Sequence, residues 1–166
     1  MTRLIASALI FVSLGLSACG FQPVYAERTG VSASLSNIAV QTSEGRAGYQ
    51  LGLALKDRLG SWSGDAEYTL KAVVDMSRIR QSVTVADIAT RYEVEMDVDY
   101  VLIERETGET VKTGKASGEA SFDVPADPYA TVRAEQDSEL RAARDAAQQI
   151  TSDLALWFQR KNAKDQ

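Results

Sequence analysis

The sequence predicts an α+β fold: a two-layer sandwich in which a mostly antiparallel four-stranded sheet packs against two helices, in the order β-α-β-β-β-α. Two segments with a period of two residues and one long segment with apolar residues every three or four carry that prediction. A sheet and helices that are each apolar on one side must hide those sides in one another, and two layers are the economical solution. With 166 residues, 45% of them hydrophobic and 25% charged, the chain has material for one core and too little for two.

Residues 31–40, VSASLSNIAV, alternate small or apolar with polar residues and predict a short first strand. A helix follows from Ser43 or Glu44 to Leu59, with Ala47, Leu51, Ala54, Leu55 and Leu59 as its apolar stripe. Gly60, with Ser61, Ser63 and Gly64 around Trp62, ends it. Gly45, Gly48 and Gly52 weaken the front of this helix by roughly 1 kcal/mol each relative to Ala, so its stability must come from packing. In Tyr68–Arg80, Leu70, Ala72, Val74 and Met76 share one strand face while Lys71, Asp75 and Ser77 share the other. The pattern is clearer in residues 91–103, where Tyr92, Val94, Met96, Val98, Tyr100 and Leu102 face the core and Glu93, Glu95, Asp97 and Asp99 face water.

Thr107-Gly108 supplies a turn, and Val111–Phe122 returns as a fourth strand, placed to form a hairpin with the third. Its run of Gly114, Ala116, Gly118 and Ala120 predicts a helix lying close across that face. Pro125 and Pro128 end the sheet region, and a long helix runs from Tyr129 or Ala130 to Gln159 with Leu140, Ala143, Ala147, Ile150, Leu154 and Trp157 on its buried stripe. Trp157 and Phe158 point about 100° apart, so Trp157 is assigned to the core and Phe158 to its margin. Residues 31–160 thus form one domain, and 161–166, KNAKDQ, a frayed polar tail.

Composition removes much chemistry. The net charge of −5 disfavours nucleic acid as a partner. The chain has no His and a single Cys, Cys19, which excludes Cys/His zinc sites, Ser-His-Asp triads and internal disulfides. The carboxylates Glu93, Glu95, Asp97 and Asp99 repeat along one strand face about 7 Å apart, without calcium-loop spacing or a pocket for a general acid. They read as a sheet face turned to solvent. No nucleotide-binding glycine motif is present. No catalytic residue, metal ligand or cofactor site is therefore assigned.

Residues 1–18, MTRLIASALIFVSLGLSA, carry one early positive charge, an apolar run and small residues before Cys19, the pattern of a secretory signal too short for a membrane span. Leu16-Ser17-Ala18-Cys19 resembles the lipobox of bacterial lipoproteins, whose Cys is acylated and becomes the first residue after cleavage. An ordinary signal-cleavage site beside a chance Cys is the alternative. Gly20, where an Asp is associated with inner-membrane retention in some bacteria, leans the destination toward the outer membrane. Residues 19–30 form the acylated tether. Within it Phe21 and Tyr25, with Pro23 and Val24, are more apolar than an idle linker requires, which assigns them a packing contact.

The string Cys19-Gly20-Phe21-Gln22-Pro23-Val24-Tyr25, the element order, the Arg91-Tyr92 start of the third strand and the alanine-rich last helix resemble the outer-membrane lipopolysaccharide-assembly lipoprotein family in its alphaproteobacterial form. The resemblance implies a non-catalytic lipoprotein that sits in the lumen of a large outer-membrane β-barrel of the LptD type, helps it fold, and lies near lipopolysaccharide in transit. Since lipopolysaccharide is anionic, Arg78, Arg80, Arg91, Lys112 and Lys115 are the candidate contacts to it or to the barrel. The plainer alternative is that these cations solubilise a sheet edge and pair with Asp87, Glu93 or Glu95. A different function class, an unrelated envelope lipoprotein binding a glycan, peptide or lipid as a free module, also fits the residues.

Overall fold

The computed structural model describes residues 31–60, 66–83 and 89–164; the predicted signal segment and tether lie outside them. In chain order the elements are α1 (Val31–Ser36), β1 (Ile38–Thr42), α2 (Arg46–Leu59), β2 (Tyr68–Val83), β3 (Ala89–Glu104), β4 (Thr110–Asp123) and α3 (Pro128–Lys164). The strands form one four-stranded sheet in the order β1-β2-β3-β4. The helices cover one of its faces, so the α+β sandwich holds, with two differences.

The first difference is at the start. Residues 31–36 are helical rather than extended, and the strand begins only at Ile38. Val31 and Leu35, one helical turn apart, are both buried, and α1 packs on α3. The small-polar alternation of VSASLS imitates a strand, but the pair four residues apart supplies the burial. The second difference is that the sheet is mixed. β1 runs parallel to β2 with Ile38 opposite Tyr68, whereas β2–β3 and β3–β4 are antiparallel. A strand, a helix and a strand in immediate succession form a crossover, which returns the chain in the same direction.

The glycines of α2 have a packing purpose. A Cβ on Gly48 would lie 1.9 Å from the carbonyl oxygen of Ser43, and one on Gly52 would lie 3.2 Å from the Thr42 hydroxyl. Ser43 in turn is tied to β2, its N–H donating to the Ala72 carbonyl at 2.9 Å and its hydroxyl accepting from the Val74 N–H at 3.2 Å. The helix thus starts directly beneath the end of β1. It stops at Gly60, whose φ of 91° suits glycine.

β2 and β3 are 16 residues each and pair in one register from Tyr68–Glu104 to Arg80–Tyr92, with a shift beyond Arg80. Leu70, Ala72, Val94, Met96, Val98, Tyr100 and Leu102 are buried beneath the helices. β4 meets α3 at backbone distance, because a Cβ on Gly118 would lie 1.9 Å from the Ala142 carbonyl oxygen. Ala142, Ala143, Ala146 and Ala147 present the small surface that permits this approach, and all four are fully buried.

α3 is capped by Asp127, whose carboxylate accepts the Tyr129 N–H at 3.0 Å, and Pro128 occupies the first helical position. At its other end the helix continues through Lys164, so residues 161–164, expected to fray, are helical. Lys161 donates to the Tyr68 hydroxyl at 2.8 Å and lies over the Tyr68 and Trp157 rings. The order of the two aromatics is reversed from the expectation. Phe158 is 1% exposed, and Trp157 is half-buried at the core margin. The stripe Ala147-Ile150-Leu154 continues by a step of four to Phe158, leaving Trp157 edge-on to Tyr68.

Candidate functional site

Strand alternation separates the five candidate cations. Arg78 and Arg80 share the parity of Leu70 and Met76 and lie on the helix side of β2. Arg78 donates to Glu135 of α3 at 2.8 Å, and its guanidinium stands 4.9 Å from the Tyr92 ring, which itself stacks on Phe122. Arg80 is exposed. Arg91 belongs to the opposite face and reaches Asp123 at 3.2 Å, both side chains being at least half exposed. Arg78, Arg80 and Arg91 do meet at one end of the sheet, since Arg80 is opposite Tyr92, but they project to both sides of it. Asp87 lies outside the described residues, and the partners formed are Glu135 and Asp123.

The two lysines are likewise divided. Lys115 is exposed on the outer face and pairs at 2.8 Å with Asp99, its directly opposite neighbour, whose carboxylate raises the lysine's pKa. Lys112 turns under the helix layer and bonds Asp153 of α3 at 2.8 Å. The hydroxyl of buried Tyr100 donates to the same carboxylate. Gly114 makes room for that ring, because a Cβ there would fall 2.4 Å from the Tyr100 oxygen. Burial first, and then the Asp153 hydrogen bond and charge, push the Tyr100 hydroxyl well above its ordinary value. Burial also pushes the Asp153 carboxyl up, but Lys112 and the Tyr100 hydroxyl outweigh it and hold that carboxyl below the usual aspartate value. This network fastens β3, β4 and α3 together and presents no free nucleophile.

Glu139 was not singled out by sequence reasoning. It is buried between α2 and α3 and accepts hydrogen bonds from Arg46. Its signal would have been a carboxylate within the helix segment that carries the run of small buried residues.

The outer sheet face collects more acid than the β3 row alone. In register across β2, β3 and β4 stand Val73–Asp99–Lys115, Asp75–Asp97–Ser117, Ser77–Glu95–Glu119 and Ile79–Glu93–Ser121. Asp75 therefore faces Asp97, and Glu95 faces Glu119, like charges directly opposite one another. Gln81 donates to Glu93. Among the described residues Asp75, Glu95, Asp97 and Glu119 make no ion pair, and no carboxylate group is arranged to hold a metal ion. A separate open cavity of about 510 Å³ runs along the free edge of β1, between Ile38, Val40, Lys56 and Arg105. Cys19, Phe21 and Tyr25 lie outside the described residues.

The chain is similar to known proteins along most of its length. The model of the LptE family, described as lipopolysaccharide-assembly, matches residues 34–154. The structure is similar to that of a putative lipoprotein from Caulobacter crescentus CB15, with a TM-score of 0.70 and 36% identity over 80% of this chain and 97% of that one. The rare lipoprotein B of Shewanella oneidensis shares the fold, with a TM-score of 0.53 and 14% identity over 71% of this chain and 92% of that one. An uncharacterized protein of Rickettsia prowazekii is 28% identical over 156 residues, which cover 92% of this chain and 97% of that protein. With the family model matched across both layers of the sandwich, from α1 into α3, the chain belongs to the LptE family of lipopolysaccharide-assembly proteins.

Proposed function

We propose that this protein is a non-catalytic lipoprotein of the outer membrane, anchored by acyl chains on Cys19, that plugs and helps assemble the β-barrel through which lipopolysaccharide reaches the outer leaflet. The observation that carries this reading is the family match over residues 34–154. The shape supports it. Strands of 16 residues and a helix of 37 make a body about 50 Å long, and four strands under one helical layer make it roughly 20–25 Å across. Barrels of about 20 strands or more have lumens wide enough for such a body, and their interiors are polar, as is this outer sheet face. Two or three acyl chains, at about 0.8 kcal/mol per buried CH₂, hold the domain at the membrane durably.

Depletion tests the reading. Repressing synthesis of the protein is expected to lower the amount of folded, heat-modifiable lipopolysaccharide-exporting barrel and of surface lipopolysaccharide together. Labelled palmitate is expected to enter the wild type and not the Cys19→Ala variant. Normal barrel and lipopolysaccharide levels after full depletion contradict it. The cavity beside β1, whose lining mixes Ile38 and Val40 with Gln41, Thr69, Lys56 and Arg105, is the one observation that favours a free binding module for an anionic ligand instead.

A further inference from the structure

The helices cover one face of the sheet, and the other carries a charge distribution that intramolecular contacts leave uncompensated. Over its four central rows six carboxylates (Asp75, Glu93, Glu95, Asp97, Asp99 and Glu119) stand against the single cation Lys115, and Lys71 and Arg91 on the two flanking rows, the latter paired with Asp123, leave the face acidic. Two of the cross-strand pairs oppose like charges in register, an arrangement that destabilises a sheet relative to neutral pairs. Exposed Val73 and Ile79, at 66% and 45%, lie at the two ends of the same field on β2. A protein partner would cover these aliphatic groups while its cations meet the carboxylates, the complementarity of charge that fixes register and partner.

We infer that this outer face is the docking surface for a protein wall bearing Lys and Arg, namely an inward-facing basic strip of the barrel. The inference rests on the plug reading and adds to it which side of the sandwich meets the wall. Charge selects the occupant. Lipopolysaccharide and phospholipid phosphates are anionic and are repelled by this face, so the lipid path lies elsewhere on the molecule.

Two measurements on the full-length, tagged protein in the outer membrane test this. In the first, p-benzoylphenylalanine is placed either at Ser77, in the middle of the face, or at Leu53, exposed on α2 in the helix layer. Irradiation is expected to give adducts with the barrel from position 77, mapping to barrel peptides that contain Lys or Arg. In the second, Asp75→Asn, Glu95→Gln, Asp97→Asn and Glu119→Gln are combined. Barrel recovery in low-salt mild detergent is expected to fall at least tenfold, while the melting temperature of the isolated variant stays equal or rises because the repulsion is gone. Barrel adducts from position 53 with none from position 77 overturn the inference and leave the plug reading standing. Recovery unchanged by the neutralised variant does the same. No adduct from either substituted protein, together with no barrel recovered by the wild type, overturns the plug reading and this inference with it.

Discussion

Replacing Gly118 by Ala adds one methyl group where β4 touches α3, and the structure sets the size of the effect. The new Cβ would lie 1.9 Å from the Ala142 carbonyl oxygen and 2.8 Å from the Ala146 nitrogen, so backbone and not a flexible side chain must yield. Overpacking a close-packed interior costs about 1–3 kcal/mol when side chains can adjust, and the rigid neighbours here place the loss at the upper end, about 3 kcal/mol. For a domain of this size each kcal/mol moves the melting temperature by roughly 3–4 °C, giving a fall of about 10 °C. Gly108→Ala is the control. Its φ of 73° makes a side chain unfavourable by about 1–2 kcal/mol, but no atom lies within 4 Å. Thermal unfolding of the two variants by circular dichroism should therefore show Gly118→Ala as clearly the more damaging. A Gly118→Ala midpoint within 2 °C of wild type would refute the backbone contact between β4 and α3.

Three other outcomes are expected. Asp153→Asn keeps the size of the side chain and removes the charge that Lys112 and Tyr100 share, so it should lower stability by about 1–2 kcal/mol at neutral pH, measured by urea unfolding. Because the folded-state pKa of Asp153 is lowered, its contribution is complete above the unfolded-state value of about 4 and is lost as pH falls through the folded one; wild type and Asp153→Asn should accordingly begin to converge only as pH drops below about 4, and meet below the lower folded-state value. Arg46→Ala strips the cation from buried Glu139 and should cost about 2 kcal/mol, whereas Arg91→Ala, at an exposed pair with Asp123, should change the unfolding free energy by less than about 0.5 kcal/mol. Asp97→Thr, which ends one like-charge opposition on the outer face, should raise stability by about 0.5 kcal/mol in the same assay.

The parts of the fold most legible in the sequence are those whose period admits one answer. The alternation from Tyr92 to Leu102 yields β3 with its faces correctly assigned, and Gly118 between Ala116 and Ala120 foretells the close helix. Short segments were less legible. Val31 and Leu35 fit a helical turn, but six residues of small and polar side chains satisfy a strand template equally well. The parallel direction of β1 was implied by its position before a crossover helix and needed no contact information. At the candidate site, parity alone places Arg78 and Arg80 with the buried residues of β2 and Lys115 with the solvent side of β4. What parity does not contain is the partner across elements. Glu135 for Arg78 and Asp153 for Lys112 are 57 and 41 positions away in sequence and meet them only through the packing of α3 on the sheet.

The central claim, that this chain is the intraluminal partner of a lipopolysaccharide-exporting barrel, is tested most directly by affinity purification of the C-terminally tagged protein from outer membranes in mild detergent. Mass spectrometry would identify the co-eluting proteins and the mature N-terminus. The expected result is one large β-barrel protein in stoichiometric amount, together with a chain that begins at acylated Cys19. Acylated protein recovered alone, in a detergent shown to preserve other barrel complexes, would contradict the claim and favour a free binding lipoprotein.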